Sequence, residues 1–76
     1  MALYRHGNYL TQSQHVNFDT ERKPGDVVPD SGIYRCVNCG DEIAANKNNP
    51  LPPQNHHQHR NSSPIRWKLL VCAVQI

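Results

Sequence analysis

The sequence predicts a small, mainly β domain of about three antiparallel strands, with a long loop and a flexible N-terminal arm. Three observations lead to this fold class. The chain has 76 residues, which is one domain at most. Short runs of β-branched and aromatic residues stand between turns that contain Pro, Gly and Asp. One segment near the end of the chain alternates apolar and polar side chains with the period of two that a half-buried strand requires.

The alternating segment, residues 65–74, is the strongest strand candidate. One face is predicted to carry the apolar side chains of Ile65, Trp67, Leu69 and Val71, and the other those of Arg66 and Lys68. Leu70 and Cys72 make the far end apolar on both sides. We expect Trp67 to be the largest side chain of the core and to pack near Tyr34 or Ile43.

A second predicted strand covers residues 33–37 and leads directly into the C-x-x-C of Cys36 and Cys39. Residues 41–45 are expected either to return as the partner strand of a hairpin or to form one short helical turn. Residues 46–64 are rich in Asn, Pro, Gln, His and Ser. A loop of this length inside a small domain is unusual unless it is functional, and its histidines supply a reason for it to be anchored.

The N-terminal part of the chain is polar and weakly patterned. We predict a partly flexible arm over residues 1–22 and the folded domain over residues 23–76. A short hairpin between residues 3–5 and 9–11 is the alternative for the arm, with His6-Gly7-Asn8 as its turn.

The composition indicates a thin core that needs an additional stabilising element. A short chain buries a small fraction of its surface, so domains of this size usually depend on a disulfide, a metal or a partner. Three cysteines is an odd count, and a bridge across C-x-x-C closes too small a loop to stabilise much. Neither a signal peptide nor an apolar run approaching the ~20 residues of a membrane span is visible. We therefore expect a soluble, cytoplasmic protein whose paired cysteines bind metal.

The candidate ligands follow the pattern C-x2-C-x16-H-x2-H, with Cys36 and Cys39 as the first pair and His56 and His59 as the second. Two ligands separated by two residues can both point into one tight turn, and paired C-x2-C turns at a similar separation are a recognised zinc signature. We expect histidine to replace cysteine in the second pair and one Zn²⁺ to bind per chain. His57 is the nearest competitor for either histidine position.

Other interpretations of these residues stay open. Cys36 and Cys39 are alternatively a redox pair, although a strand rather than a helix N-terminus carries them. They are otherwise reduced thiols beside solvated histidines. Cys72 is expected to be a buried, inert thiol, with a ligand role in place of one histidine as the alternative. We place His6 and His15 on the surface.

The chain also resembles a known family. Residues 23–40 end in Gly32-Ile33-Tyr34-Arg35-Cys36-Val37-Asn38-Cys39-Gly40, and Leu51-Pro52-Pro53 precedes the second ligand pair. This arrangement resembles small bacterial zinc-ribbon proteins, mostly uncharacterised, in which a Gly-x-Tyr-x-Cys-x-x-Cys-Gly knuckle is followed by a Pro-Pro step into a second knuckle. The resemblance covers about residues 23–72 and implies a zinc-ribbon-like domain and a metal more than an activity. The chain departs from many ribbons in having Gln54 and histidines where those proteins have cysteines.

The expected function is a non-catalytic, structural zinc-binding module that mediates a macromolecular interaction. Four protein ligands would close the site, and no acid–base or nucleophile–base arrangement stands out beside it. A net charge of +2 gives no strong electrostatic case for nucleic acid or membrane. We therefore expect a protein partner, no membrane contact, no enzymatic activity and a monomeric chain.

Two alternative functions remain at this point. The first is a nucleic-acid-binding ribbon, in which basic residues hold phosphates and aromatic residues stack on bases, with Arg60, Arg66, Lys68, Trp67 and Tyr34 as the candidates. The second is a metal-dependent hydrolytic or metal-handling protein. If only one histidine binds, zinc keeps an open position and can activate water, with Glu42 or Asp41 as the base.

Removal of zinc is expected to unfold the protein. Metal binding contributes roughly 10–16 kcal/mol in zinc-finger peptides, which is comparable to the whole stability of a small domain. Elemental analysis followed by far-ultraviolet circular dichroism with EDTA tests this, and added Zn²⁺ is expected to restore the spectrum. A protein that contains no metal and keeps its spectrum in EDTA would contradict the zinc interpretation.

Overall fold

The computed structural model of the chain describes residues 1–52 and 64–74. Its strands are β1 (Gly32–Cys36), β2 (Glu42–Ala45) and β3 (Trp67–Cys72). β1 lies in the centre, in the order β2-β1-β3, and pairs antiparallel with both neighbours. This sheet confirms the predicted small, mainly β class with three antiparallel strands, and β2 settles residues 41–45 in favour of a hairpin strand. Within the described ranges, no helix has the length and apolar character that crossing a membrane requires.

The N-terminal segment contains two short 3-10 turns, Gly7–Tyr9 and Val16–Phe18. The first turn lies within the residues of the alternative hairpin, which does not form. Phe18 packs against the core, and Arg22 exchanges two backbone hydrogen bonds of 2.8 Å with Trp67. The second half of the predicted arm is therefore attached to the domain, along the outer edge of β3.

The core lies on one face of the sheet. Its buried side chains are those of Val28, Tyr34, Cys36, Leu51, Trp67 and Leu69. Trp67 is the largest of them and is 0% exposed, which confirms its predicted place in the core. The Tyr34 hydroxyl donates a hydrogen bond of 2.7 Å to the Asp30 carbonyl oxygen, so its polar end is satisfied inside the protein.

Two loops that bond to each other cover this face of the sheet. The Val28 amide donates to the Asn49 carbonyl at 3.1 Å, and the Leu51 amide donates to the Asp26 carbonyl at 2.9 Å. The Gly25 amide donates in return to the Leu51 carbonyl at 2.9 Å. This pairing brings Val28 and Leu51 into the core, so the long polar loop is fixed where it begins.

β3 contains a bulge that the sequence pattern does not reveal. Tyr34 is opposite Leu69, whereas Ile33 is opposite Val71, so β3 holds one extra residue between these pairs. Because cross-strand partners point to the same face, Val71 turns away from the core and Cys72 packs against it instead. The prediction that Val71 lies on the core face is therefore wrong, since strict alternation assumes a ladder without an inserted residue.

Gly32 permits the close approach of β1 and β3 beside the bulge. A Cβ atom at this position would overlap the carbonyl oxygen of Val71 and would lie 3.1 Å from the Cα atom of Cys72. Both obstacles are backbone atoms, which no side-chain rotation can move. The position therefore requires glycine for space.

Gly32→Ala is expected to lower the free energy of unfolding by about 1–3 kcal/mol, because overpacking forces a backbone shift. In a regular strand without this close approach, a glycine-to-alanine change would instead raise the free energy of unfolding by roughly 0.5–1 kcal/mol. Gly7→Ala is the control, since its Cβ would meet an exposed Tyr4 ring that can rotate away. Urea unfolding of both variants measures the difference, and a Gly32→Ala protein as stable as the wild type would contradict the close approach.

Candidate metal centre

A tight turn between β1 and β2 carries the two cysteines of the C-x-x-C. The Gly40 amide donates to the Cys36 carbonyl at 2.9 Å, and the Cys36 amide donates to the Asp41 carbonyl at 2.8 Å. Gly40 has a φ of 81°, in the left-handed region that glycine adopts without a steric cost. The turn therefore reverses the chain and sets Cys36 and Cys39 at the same end of the sheet, as the sequence predicts.

The sulfur of Cys36 is buried and surrounded by hydrogen-bond donors. Burial raises its pKa, but hydrogen bonds from the backbone of Arg66, Asn38 and Cys39, and from the Cys39 side chain, outweigh burial and lower it. Donors of this kind stabilise the negative charge of a thiolate. A thiolate is the form of cysteine that binds metal.

Cys39 is exposed and lies at the outer side of the turn. The Asp41 amide donates to its sulfur at 3.5 Å. The pKa of Cys39 is raised by the loss of part of its hydration, with a smaller opposing effect from the Asp41 amide and a further rise from the neighbouring Cys36 sulfur. The two sulfurs thus interact, and a bound cation would remove their mutual repulsion.

The segment that leads into β3 is hydrogen-bonded directly to the turn that carries Cys36 and Cys39. The Val37 amide donates to the Arg66 carbonyl at 2.9 Å, and the Asn38 side-chain amide donates to the Pro64 carbonyl. Together with the Arg66 hydrogen bond to Cys36, these contacts hold residues 64–66 against the cysteine turn. Sequence reasoning did not identify these partners, because the middle residues of a C-x-x-C motif carry no signal for them.

The carboxylates that follow the knuckle differ in their contacts. Glu42 Oε2 accepts a hydrogen bond of 2.5 Å from Arg35 and lies 3.4 Å from the amino group of Met1. Asp41 Oδ2 is buried and has no hydrogen-bond partner in the described part of the chain. Trp67 lies opposite Cys36, and its buried Nε1 also has no hydrogen-bond partner among the described residues. Buried polar atoms without partners are costly, so both mark an unusual environment near the cysteines.

The second ligand pair, His56 and His59, and its competitor His57 lie outside the described residues. Residues 1–52 and 64–74 alone contain no group of three or more His, Cys, Asp or Glu side chains arranged for a metal ion. Of the predicted ligands, the structure therefore brings together Cys36 and Cys39.

Cys72 lies at the far end of the sheet from the knuckle. It is opposite Gly32, whereas Cys36 is opposite Trp67, four residues further along β1. At about 3.3 Å per residue this is a separation of roughly 13 Å, which bonds of ~2.3 Å from one zinc ion cannot span. Cys72 is half-buried rather than fully buried as predicted, and loss of hydration and the charge of Asp30 raise the pKa of its thiol.

His6 and His15 are exposed, as predicted, and both make local contacts. The ring of His6 meets Tyr9 edge-on, with 6.0 Å between ring centroids. His15 Nδ1 accepts a hydrogen bond of 3.1 Å from the Asn17 amide and so caps a 3-10 turn. Neither histidine belongs to the knuckle.

Comparison with curated proteins finds a bacterial relative that matches part of the chain. The chain is 62% identical over 48 residues to Protein L of Escherichia coli, an alignment that covers 63% of this chain and 55% of that protein. The chain thus spans about half the length of this relative, which is bacterial, as the resemblance to small bacterial proteins predicts. No model of a known protein family matches the chain. No solved structure matches it either.

Gly40→Ala is expected to destabilise the protein by about 1–2 kcal/mol, because a Cβ atom disfavours the left-handed conformation. Gly40→Asn is expected to cost less, since asparagine tolerates this region. Both variants carry the Cβ that approaches Arg35, so their comparison isolates the backbone effect. Urea unfolding of the two variants measures it, and equal losses would argue against a conformational role for Gly40.

Proposed function

We propose that the protein is a non-catalytic, zinc-ribbon-like structural module that holds one Zn²⁺ through Cys36, Cys39, His56 and His59. The observation that carries this proposal is the set of hydrogen bonds directed at both cysteine sulfurs. The backbone of Arg66, Asn38 and Cys39 donates hydrogen bonds to the Cys36 sulfur, and the Asp41 amide donates one to the Cys39 sulfur. Oriented donors of this kind stabilise a thiolate at Cys36, and thiolates are the form of cysteine that binds zinc.

Chain connectivity supports histidines as the remaining ligands. Pro64 is bonded to Asn38 within the knuckle, and His59 precedes Pro64 by five residues. Five residues of extended chain span at most about 18 Å, at roughly 3.3–3.6 Å per residue, so a ligand at position 59 is compatible with this anchor. Two thiolates with two imidazoles form a tetrahedral donor set that suits Zn²⁺.

The proposed role is to present a folded surface to another macromolecule, with a protein as the favoured partner. A site closed by four protein ligands leaves no position for substrate. A cytoplasmic location fits this proposal, because paired cysteines in a reducing compartment bind metal more often than each other. Burial of Trp67 and Tyr34, each 0% exposed, removes the two aromatic rings that a nucleic-acid-binding ribbon would use for stacking.

One observation favours an open, reactive zinc site as the second candidate. Asp41 Oδ2 has no hydrogen-bond partner among the described residues, and the Asp41 amide contacts the Cys39 sulfur. Glu42 is already paired with Arg35, so Asp41 is the better candidate for a base. This alternative requires that only one histidine binds and that water occupies the fourth position.

Zinc content and cobalt substitution test the proposal. We expect one zinc per chain, and a four-coordinate cobalt spectrum with two sulfur and two nitrogen ligands that added anions do not change. His56→Ala and His59→Ala are each expected to lower metal affinity strongly, and His57→Ala to leave it unchanged.

His6→Ala is the matched control, because His6 is exposed and its side chain makes an edge-on ring contact with Tyr9, away from the cysteine turn. A spectrum that responds to azide or chloride would favour the open site with Asp41. If His57→Ala loses the metal, His57 is a ligand in place of His56 or His59. Absence of metal from the purified protein and from reconstituted samples would overturn the proposal.

A further inference from the structure

The outer edge of β3 is only partly covered. β3 is a terminal strand of the sheet and pairs with β1 on its inner edge. On the outer edge, Arg22 bonds to both backbone groups of Trp67 at 2.8 Å. Past Trp67, no backbone hydrogen bond joins this edge to any residue in the described ranges.

The register identifies which backbone groups point outward. Trp67 directs its amide and carbonyl to Arg22, away from β1, so Leu69 directs its own groups to the same side. The Ala73 amide donates inward to the Ser31 carbonyl at 2.8 Å, so the groups of Cys72 point outward. Leu69 and Cys72 therefore present donors and acceptors that an added strand can bind.

This edge lacks the charged residues that usually protect an open strand. Residues 69–76 contain no Lys, Arg, Asp, Glu or Pro. Monomeric proteins normally place such residues on an exposed edge to prevent pairing with another chain. The bulge gives this edge some protection, because it limits the available ladder to the short stretch between Leu69 and Cys72.

Apolar side chains border the open edge. A groove of about 580 Å³ lies between β3 and the N-terminal segment, with Tyr9, Leu10, Leu70 and Val74 among its lining. Tyr9 is 81% exposed and Val74 is 85% exposed, so these side chains are available to a partner. An extended strand at this edge would bury them together with its own apolar residues.

We propose that a second copy of this chain pairs with the outer edge of β3 and forms a two-fold symmetric dimer. A two-fold axis between Leu70 and Val71 sets the outward groups of Leu69 against those of Cys72 in the second copy. Lys68 then lies opposite Ala73 of the second copy, so no like charges face each other. An uncharged edge is complementary to itself, whereas a charged partner strand would leave its charge unpaired beside the groove. This proposal differs from the monomer that we expect from the sequence.

Light scattering across a concentration series on the full, zinc-loaded chain tests the dimer. The average molar mass of the wild type is expected to rise with concentration towards twice that of the monomer. Leu70→Glu and Leu70→Lys are each expected to remain monomeric, because two like charges meet near the axis. An equimolar mixture of the two variants is expected to regain the dimer mass, since opposite charges then meet. Val27→Glu and Val27→Lys are the matched controls, because Val27 is exposed and apolar and pairs with Pro50 rather than with β3.

Circular dichroism and zinc content confirm that each variant is folded. If the Leu70 variants fail to fold, Val71→Glu and Val71→Lys provide the same charge test, because Val71 lies across the axis from Leu70 of the second copy and points away from the core. A wild type that stays monomeric at the highest attainable concentration would overturn the proposal. This holds even if the strand of another protein is then found to bind this edge. Charge variants that dimerise like the wild type would overturn it as well. Zinc content is measured separately, so failure of the dimer leaves the metal proposal standing.

Discussion

The pairing of β1 on both of its edges determines the rest of the structure. The ladder with β2 continues past the strand end through the Cys36 amide, and the ladder with β3 continues through the Val37 amide. The cysteine turn is therefore an extension of both ladders. A slip of one residue would move Cys36 from the core face to the opposite face and would separate it from its donors.

Cys36 belongs to the core and to the proposed metal site at the same time. It is 0% exposed, packs with the buried cluster and lies opposite Trp67. A metal bound there would join the cysteine turn to the segment that enters β3, which are distant in sequence. Such a crosslink would compensate for the small core that the described residues form. This is the physical reason to expect folding and metal binding to be coupled.

The two proposals concern different parts of the sheet. The proposed metal site would lie at the end of β1 where the chain reverses, and the hydrogen-bond donors there point to the sulfurs of Cys36 and Cys39. The dimer surface lies along the outer edge of β3, where backbone groups and apolar side chains point outward. A closed metal site that fixes the strands and an open edge that binds another chain are compatible roles for one small module. They depend on different residues, so each can be lost without the other.

The sequence by itself determined the strands, the cysteine turn and the central place of Trp67. These features follow from local patterns, namely the period of two in β3, the turn residues around β1 and the glycine after Cys39. Only the tertiary structure decided that Cys72 rather than Val71 faces the core, that Arg66 and Asn38 connect the cysteine turn to β3, and that Phe18 and Arg22 attach the N-terminal segment. Each of these depends on contacts between residues far apart in the chain. A register shift and a cross-strand hydrogen bond leave no periodic trace in sequence, because they are set by which strands meet and where.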